Sequence, residues 1–305
     1  MATARQSVLC VGECLIDLLS SGERAGGAPA NVAFHLAQSR SVDVALCSRT
    51  GSDSRGDKLR EQLGRAGVDV GLWQTDKAEQ TGVVRVKNGA RGPVYDICEP
   101  AAWDHIAPAS CALEAARGAA VVVCGTLAQR HPVSRSTVRV LVAEARRAGA
   151  LVLADLNLRD PFFDGEIVLW TLRNCDVLKL SLAELRVVAA MLGARGSDES
   201  LLEGLAREFE VPRIVLTCGA EGARVLESDG MWSQSAVATG VRDTVGAGDA
   251  MTAVLAAALA LGVSWRDAMP FASEVAAFVV AHEGAMPFWS GELVDRARTV
   301  LQGRA

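Results

Sequence analysis

The sequence predicts an α/β protein built on a central, mostly parallel sheet with helices on both faces. Three observations predict it. From Ala119 onward, short apolar runs alternate with segments of helical periodicity, the pattern of successive strand–helix–strand units. The opening run is mostly apolar rather than alternating with polar residues, as a strand buried on both faces would be. Half of the 305 residues are hydrophobic, enough for a substantial core.

Residues 8–19 read as the first, central strand, interrupted only by Gly12 and Glu13. A helix is expected over 30–38, where Val32 and Leu36 stand four apart, and a strand over 42–47. Ser54 is the expected cap of a helix reaching Arg65, with Leu59 and Leu63 on its inner face. Two short strands in a polar setting follow at 82–87 and 93–97, and Asn88-Gly89 between them is a hairpin signal. The 81–98 hairpin is expected to project as a lid. Further strands are expected at 119–124, 151–154, 177–180, 214–217 and 223–226, with helices over 133–148, 168–173, 182–192 and 199–209. The last helices start at Ala247, at Ser264 (a loose capping box with Asp267) and at Ser290. No repeat and no Gly- or Pro-rich linker divides the chain, so residues 1–305 are expected to form one domain.

The totals exclude several functions. Net charge is −5 without a Lys/Arg cluster, which argues against nucleic acid as a partner. The eight cysteines include no Cys-x-x-Cys pair, and the four histidines are scattered. Buried free thiols in a reducing compartment are expected, rather than disulfides or a zinc site. The first residues carry no leader pattern, and the apolar run 253–261 is short enough to be a buried helix, so no membrane partner and a cytoplasmic location are expected.

Asp243-Thr-Val-Gly-Ala-Gly-Asp249 carries the most chemistry. A Gly-Ala-Gly turn opens an apolar helix, and helix-start amides attract phosphate. A carboxylate beside them would repel phosphate, but it suits a base that takes a proton from an attacking hydroxyl. The segment reads as a phosphoryl-transfer centre, with an anion hole at Gly246, Ala247 and Gly248 and a base at Asp249. The alternative is a tight loop with Asp249 as a helix cap.

Gly26-Gly27-Ala-Pro-Ala-Asn31 offers a sharp turn, a helix start and an amide, or simply a strand–helix connector. Asp17 is expected to end the first strand, at the end where parallel sheets bind ligands; it could equally be a solvated acid. Asp155, Asn157 and Arg159 alternate, which puts them on one side if the backbone stays extended. Arg159 either clamps a phosphate or pairs with Asp160 or Asp164. Thr217-Cys-Gly219-Ala-Glu-Gly222 could seat a base against glycine backbone or be an ordinary hairpin turn.

Together the two glycine motifs closely resemble the signatures of the ribokinase-like (PfkB) sugar kinases. The first has the form typical of fructokinases. The resemblance runs from about residue 8 to residue 290, including 98–105, 125–130 and 155–159 in the style of bacterial fructokinase-like members. It implies a ribokinase-like fold and transfer of phosphate from ATP to a sugar hydroxyl, with fructose as the first choice of acceptor. A homodimer is left open. Asp17, Gly27 and Asn31 would then hold sugar hydroxyls, and Arg159 would lie near the phosphates. Lys179, Thr217, Gly219, Gly222 and Ser273 would border ATP. Glu184 would help hold Mg2+, although Ser181 stands where the family has Asn. Asp243 would join a K+ site, or merely fix its loop. The remaining rivals are a kinase for 2-keto-3-deoxygluconate, another hexose or a nucleoside, and a silent sugar-binding relative.

Overall fold

A computed structural model describes residues 6–89 and 92–303 of the protein, without the side chains of 86–95. The chain opens with β1 (Ser7–Val11), turns through Gly12, Glu13 and Cys14, and continues as β2 (Leu15–Leu19) and β3 (Gly22–Gly26). Next come α1 (Ala28–Ser39), β4 (Asp43–Cys47), β5 (Arg49–Gly51), α2 (Ser54–Ala66), β6 (Gln74–Asp76), β7 (Gly82–Gly89) and β8 (Gly92–Ile97). The middle comprises α3 (Ser110–Gly118), β9 (Val121–Cys124), α4 (Pro132–Arg147), β10 (Leu151–Asp155), α5 (Gly165–Arg173) and β11 (Val177–Ser181). Then follow α6 (Leu182–Met191), α7 (Asp198–Phe209), β12 (Arg213–Thr217), β13 (Ala223–Glu227) and β14 (Gly230–Gln234). Three helices close the chain: α8 (Ala247–Leu261), α9 (Trp265–Val280) and α10 (Gly291–Leu301).

Eight strands form the main sheet in the order β14-β13-β12-β11-β10-β9-β1-β4. From β4 to β12 every pairing is parallel, and only β13 and β14 run antiparallel at one edge. Each face buries its own core. In β1, Val8 and Cys10 point to the layer of α1, α2, α8, α9 and α10, while Leu9 and Val11 point to the layer of α3 to α7. This is the expected fold, a parallel sheet covered on both faces. Among the described residues no helix is long and apolar enough to cross a membrane.

The expected first strand is two strands in two sheets. β2 leaves the main sheet and joins a second one, ordered β3-β2-β7-β8. The hairpin at 81–98 is therefore half of a four-stranded layer. Asp17 lies in the middle of β2, paired with Arg24 and Val84, and not at the end of a central strand. Asn88 and Gly89 are strand residues paired with Pro93 and Gly92, and residues 90–91 between them lie outside the described residues. Asp53, not Ser54, caps α2, accepting from the amides of Arg55 and Gly56 and from Thr81 at the start of β7. The sequence reading also missed α3, which buries only Ala112 and Ala116, and β14, whose five residues are half-exposed or exposed.

Arg130 anchors the second sheet. Its guanidinium donates to both oxygens of Asp104, at 2.7 and 2.8 Å, and to Cys98 O at the end of β8. It lies 3.9 Å over the Trp103 ring, and Phe162 covers its other neighbour position at 4.7 Å. Trp103 packs in a small core with Leu15, Val84 and Ile97 of the second sheet. Arg130 thus points away from any acceptor. Removing one partner of a buried ion pair costs about 3–5 kcal/mol. Arg130→Ala is expected to lower stability by about that much, read from equilibrium urea unfolding. Asp104→Leu with Arg130→Met should recover much of the loss.

Candidate active site

The glycine turn ends in the first turn of α8. Gly246 caps the helix at φ 82°, and a Cβ there would lie 2.6 Å from that of Ala285, so glycine is required twice over. Intrahelical bonding starts with Ala250 N–H to Gly246 O. The amides of Ala247, Gly248 and Asp249 therefore have no intrahelical acceptor. They meet a cleft at the carboxyl ends of β1, β9, β10, β11 and β12, where open α/β sheets bind ligands.

The cleft has two chambers. One, of about 400 Å3, is lined by Asp17, Gly27, Asn31, Arg159, Lys179, Glu184 and Asp249. Leu15, Val84, Ile97 and Leu127 give it an apolar wall, three of them from the second sheet. The other, of about 570 Å3, is lined by Gly219, Gly222, Ala247 and Ser273, with Val237, Val241, Met251 and Val280 as apolar surface. Thr217, Thr244 and Gly248 line both. The free amides of α8 thus stand at the junction.

Asn31, in the first turn of α1, donates from Nδ2 to Asp249 Oδ2 at 2.6 Å. Gly27 caps α1 at φ 100°, and a Cβ on it would strike Glu13 O at 2.5 Å. That close approach lets the turn after β1 lie against the start of α1. Burial, then the charge of Asp155, pushes the Asp249 carboxyl above its usual range; Lys179, the Asn31 hydrogen bond and Arg159 pull it back. Burial pushes Asp17 up to about 6, with Arg159 lowering it and Asp243 and Asp249 raising it. Burial also lifts Glu13 to about 7.

Lys179 is buried behind the anion hole. Its Nζ donates to Asp155 Oδ2 at 2.6 Å, and the Thr252 hydroxyl of α8 donates to the same oxygen at 2.7 Å. A Cβ on Gly248 would lie 3.2 Å from this ammonium. Burial pulls the Lys179 pKa down, but Asp155 first, then Asp249 and Glu184, hold it above its ordinary value. The ammonium is therefore a fixed positive charge beside the junction.

Asp155, Asn157 and Arg159 all line the first chamber, but not by strand alternation. Asn157 is left-handed at φ 44°, so the backbone turns there. Arg159 is exposed; its hydrogen bond goes to Leu158 O, and it forms no ion pair with Asp160 or Asp164 among the described residues. Its field instead reaches Glu13, Asp17 and Asp249.

Glu184 is largely committed to the protein. Oε1 accepts from Leu158 N at 2.7 Å; Oε2 accepts from Ser181 N and Ser181 Oγ at 2.7 and 2.8 Å. Ser181 caps α6, so Ser181 and Glu184 form a capping box. Three of about four lone-pair positions are thereby used. Among the described residues no three His, Cys, Asp or Glu side chains come together to hold a metal. The donor set fits a magnesium ion met through water, and no more. Asp243 holds Val245 N with one oxygen and Gly284 N with the other, which is the loop-fixing alternative. It lines neither chamber.

The sequence reading missed Glu13, taken only as a break in a strand. It also missed Thr252 and the task of Asp155 as the clamp on Lys179. The signal for the clamp was Thr252, the one polar residue of α8 after Asp249.

The chain matches the family described as pfkB family carbohydrate kinase over residues 5–290, and it belongs to that family of carbohydrate kinases. A fructokinase of Klebsiella pneumoniae is 31% identical over 269 residues, 82% of this chain and 83% of that protein. A Pyrococcus horikoshii protein described as an uncharacterized sugar kinase is 28% identical over 311 residues, 97% of this chain and 96% of that one. The crystal structure of a Xylella fastidiosa fructokinase with bound ATP has the same fold, with a TM-score of 0.85 at 22% identity, covering 97% of this chain and 98% of that one.

The raised pKa values carry a stability consequence. The folded protein holds the Asp17 proton up to about pH 6, against an ordinary value of 3.8. Its stabilising share is complete below 3.8 and is lost as pH rises through 6. Asp17→Asn removes the charge. The shift bounds the gain at about 3 kcal/mol, and solvent at this half-buried site reduces it to about 1 kcal/mol. Urea unfolding of the substrate-free protein should show this gain at pH 7.5 and none at pH 3.5; an equal effect at both would show that the carboxylate is not strained.

Proposed function

We propose that the protein phosphorylates a primary hydroxyl of a neutral sugar with ATP, and that fructose is its preferred acceptor. The observation that carries the reading is Asp249: a carboxylate among the free amides of a helix start, at the junction of two chambers. The apolar chamber takes the nucleoside of ATP. There the Ser273 hydroxyl is sealed from solvent without a hydrogen-bond partner, ready for an adenine edge. The phosphates pass Thr217 and Thr244 and reach the amides of Ala247 and Gly248. Lys179 and Arg159 face the transferring group.

The sugar lies in the other chamber. Asp17 and Asn31 hold hydroxyls, and Leu15, Val84, Ile97 and Leu127 cover its C–H face. Asp249 takes the proton of the attacking hydroxyl as that oxygen bonds to the γ-phosphorus and the bond to the leaving ADP oxygen breaks. The Ala247 and Gly248 amides stabilise the charge that builds on the phosphoryl oxygens. When bound with the nucleotide, magnesium would neutralise phosphate charge, and Glu184 is the residue that would help hold it. The second sheet excludes water as a competing acceptor when it closes.

Charge supports a neutral acceptor. Arg159 already answers Glu13, Asp17 and Asp249, and Lys179 answers Asp155. With Arg130 engaged elsewhere, no further cation among the described residues lines the chamber to meet a substrate carboxylate. This tells against 2-keto-3-deoxygluconate. The choice of fructose leans on the kinship with the Klebsiella pneumoniae enzyme and on the Gly26–Asn31 turn.

Asp249→Asn should cut kcat by about 10²–10⁴ while the KM for ATP stays within about twofold. A variant that keeps more than about a tenth of the turnover would sink the base assignment. In a coupled ADP-release assay at saturating ATP, kcat/KM should be highest for fructose among fructose, ribose, glucose, 2-keto-3-deoxygluconate and adenosine. Another acceptor ahead by tenfold, about 1.4 kcal/mol in transition-state binding, would overturn fructose and leave the kinase standing.

A further inference from the structure

Glu13 is the buried acid of the acceptor chamber to which the proposed reaction gives no task. It stands on the turn between β1 and β2, where the chain crosses from the main sheet to the second one. The residue is only 2% exposed, yet it lines the chamber with Asp17, Gly27, Asn31 and Asp249. Its Oε2 is sealed from solvent and has no hydrogen-bond partner, and Asn31 Oδ1 is in the same state. Two unsatisfied acceptors thus sit in the wall of one chamber, beside the candidate base. Buried oxygens of this kind are normally paired. A carboxylate oxygen is the more demanding of the two, because charge makes its hydrogen bonds stronger and their absence worse.

Glu184 and Asp243 have both carboxylate oxygens held by the protein; the Glu13 carboxyl is reached by its own amide and that of Ala28, yet its Oε2 stays unpaired. Among the described residues Glu13 makes no ion pair; the cation whose field reaches it, Arg159, also faces Asp17 and Asp249. What the oxygen lacks is a donor, and the residue that carries it lines the chamber assigned to the acceptor. A polyhydroxyl compound supplies donors without adding charge to a chamber already rich in carboxylates.

We propose that Glu13 binds the acceptor directly, its Oε2 accepting a hydrogen bond from a sugar hydroxyl other than the one phosphorylated. Glu13 then acts with Asp17 as a specificity-determining residue, and the pair selects acceptors with hydroxyls on separate carbons. The position between the sheets adds a second effect. A sugar held by Glu13 and by Asp17 of β2 spans the turn between the main sheet and the second sheet, so acceptor binding ties the two together. This inference rests on the sugar-kinase reading of the cleft.

The test uses the full chain and whichever panel sugar the wild type phosphorylates best, with each of its monodeoxy analogues. In the wild type, loss of one particular hydroxyl should lower kcat/KM at least tenfold. In Glu13→Ala and Glu13→Gln the sugar KM should rise about tenfold and the KM for ATP should stay within twofold. The penalty for that one deoxy position should shrink to threefold or less, while the penalties at the other positions persist. A residue that only shapes the turn would change all penalties alike, or both KM values together, and either result overturns the proposal. So do variants that keep the wild-type sugar KM, and failure of both variants to fold, which would make Glu13 a structural residue. If the wild type phosphorylates no sugar of the panel, the functional reading falls and this one with it, an outcome distinct from turnover that is indifferent to Glu13.

Discussion

Asp155 holds the active cleft in register. At the carboxyl end of β10 its Oδ2 receives Lys179 from β11 and Thr252 from α8. The ion pair is buried, and such pairs gain little net stability, because desolvation offsets attraction. Its value here is positional. α8 is buried from Ala250 to Leu259 and is rich in alanine, so its surface has few knobs to fix rotation or slide against its neighbours. Thr252 is the polar pin. With it bonded to Asp155, Asp249 lies one turn earlier on the same side of the helix, facing the chamber. The same bond draws the Lys179 ammonium under Gly248, beside amides that already favour an anion.

Around this pin the cleft is built against its own stability. Glu13, Asp17 and Asp249 are all carboxyls that burial makes harder to ionise. Two helix starts, of α1 and α8, turn their positive ends to the same space and ease the burden. Arg159 eases it further from the exposed rim. Strain of this kind is expected where the surroundings must act on a ligand rather than on each other. On the proposed reading, hydroxyl donors would satisfy the carboxylates, and phosphate would satisfy the amides and the ammonium. Each chamber therefore becomes more stable as its own substrate enters.

Much of this was legible in the chain. The turn at 243–249, the start of α1 with Asn31 and the alternation from β9 onward are local patterns, and local patterns survive in sequence. Asp17 was found, but on the wrong sheet. Nothing between Val11 and Leu15 marks a change of sheet, since Gly12 and Glu13 look like a bulge in one long apolar run. The extended path assumed for 155–159 failed at Asn157, whose left-handed backbone has no obligatory sequence mark. Ser181 and Glu184 were read as an incomplete metal motif, although Ser-x-x-Glu at a helix start is also the spacing of a capping box. Glu13 could not be found this way, because its importance lies in what is missing around one oxygen.

On the proposed reading the two chambers would recognise their ligands by different physics, and this bears on where specificity resides. The nucleotide side offers alanine and valine surface with a single orphaned hydroxyl at Ser273, so it can favour a flat ring over a sugar while making few exclusive demands. On the acceptor side stand Glu13, Asp17, Asn31 and Asp249 opposite an apolar wall. A site that leaves buried polar atoms unpaired rejects a ligand lacking the right hydroxyl far more strongly than an apolar pocket rejects a missing methylene. Discrimination among sugars should therefore come from the turn between β1 and β2 and from the start of α1. The second sheet adds to it through Asp17 of β2 and by bringing Leu15, Val84 and Ile97 down on the opposite face.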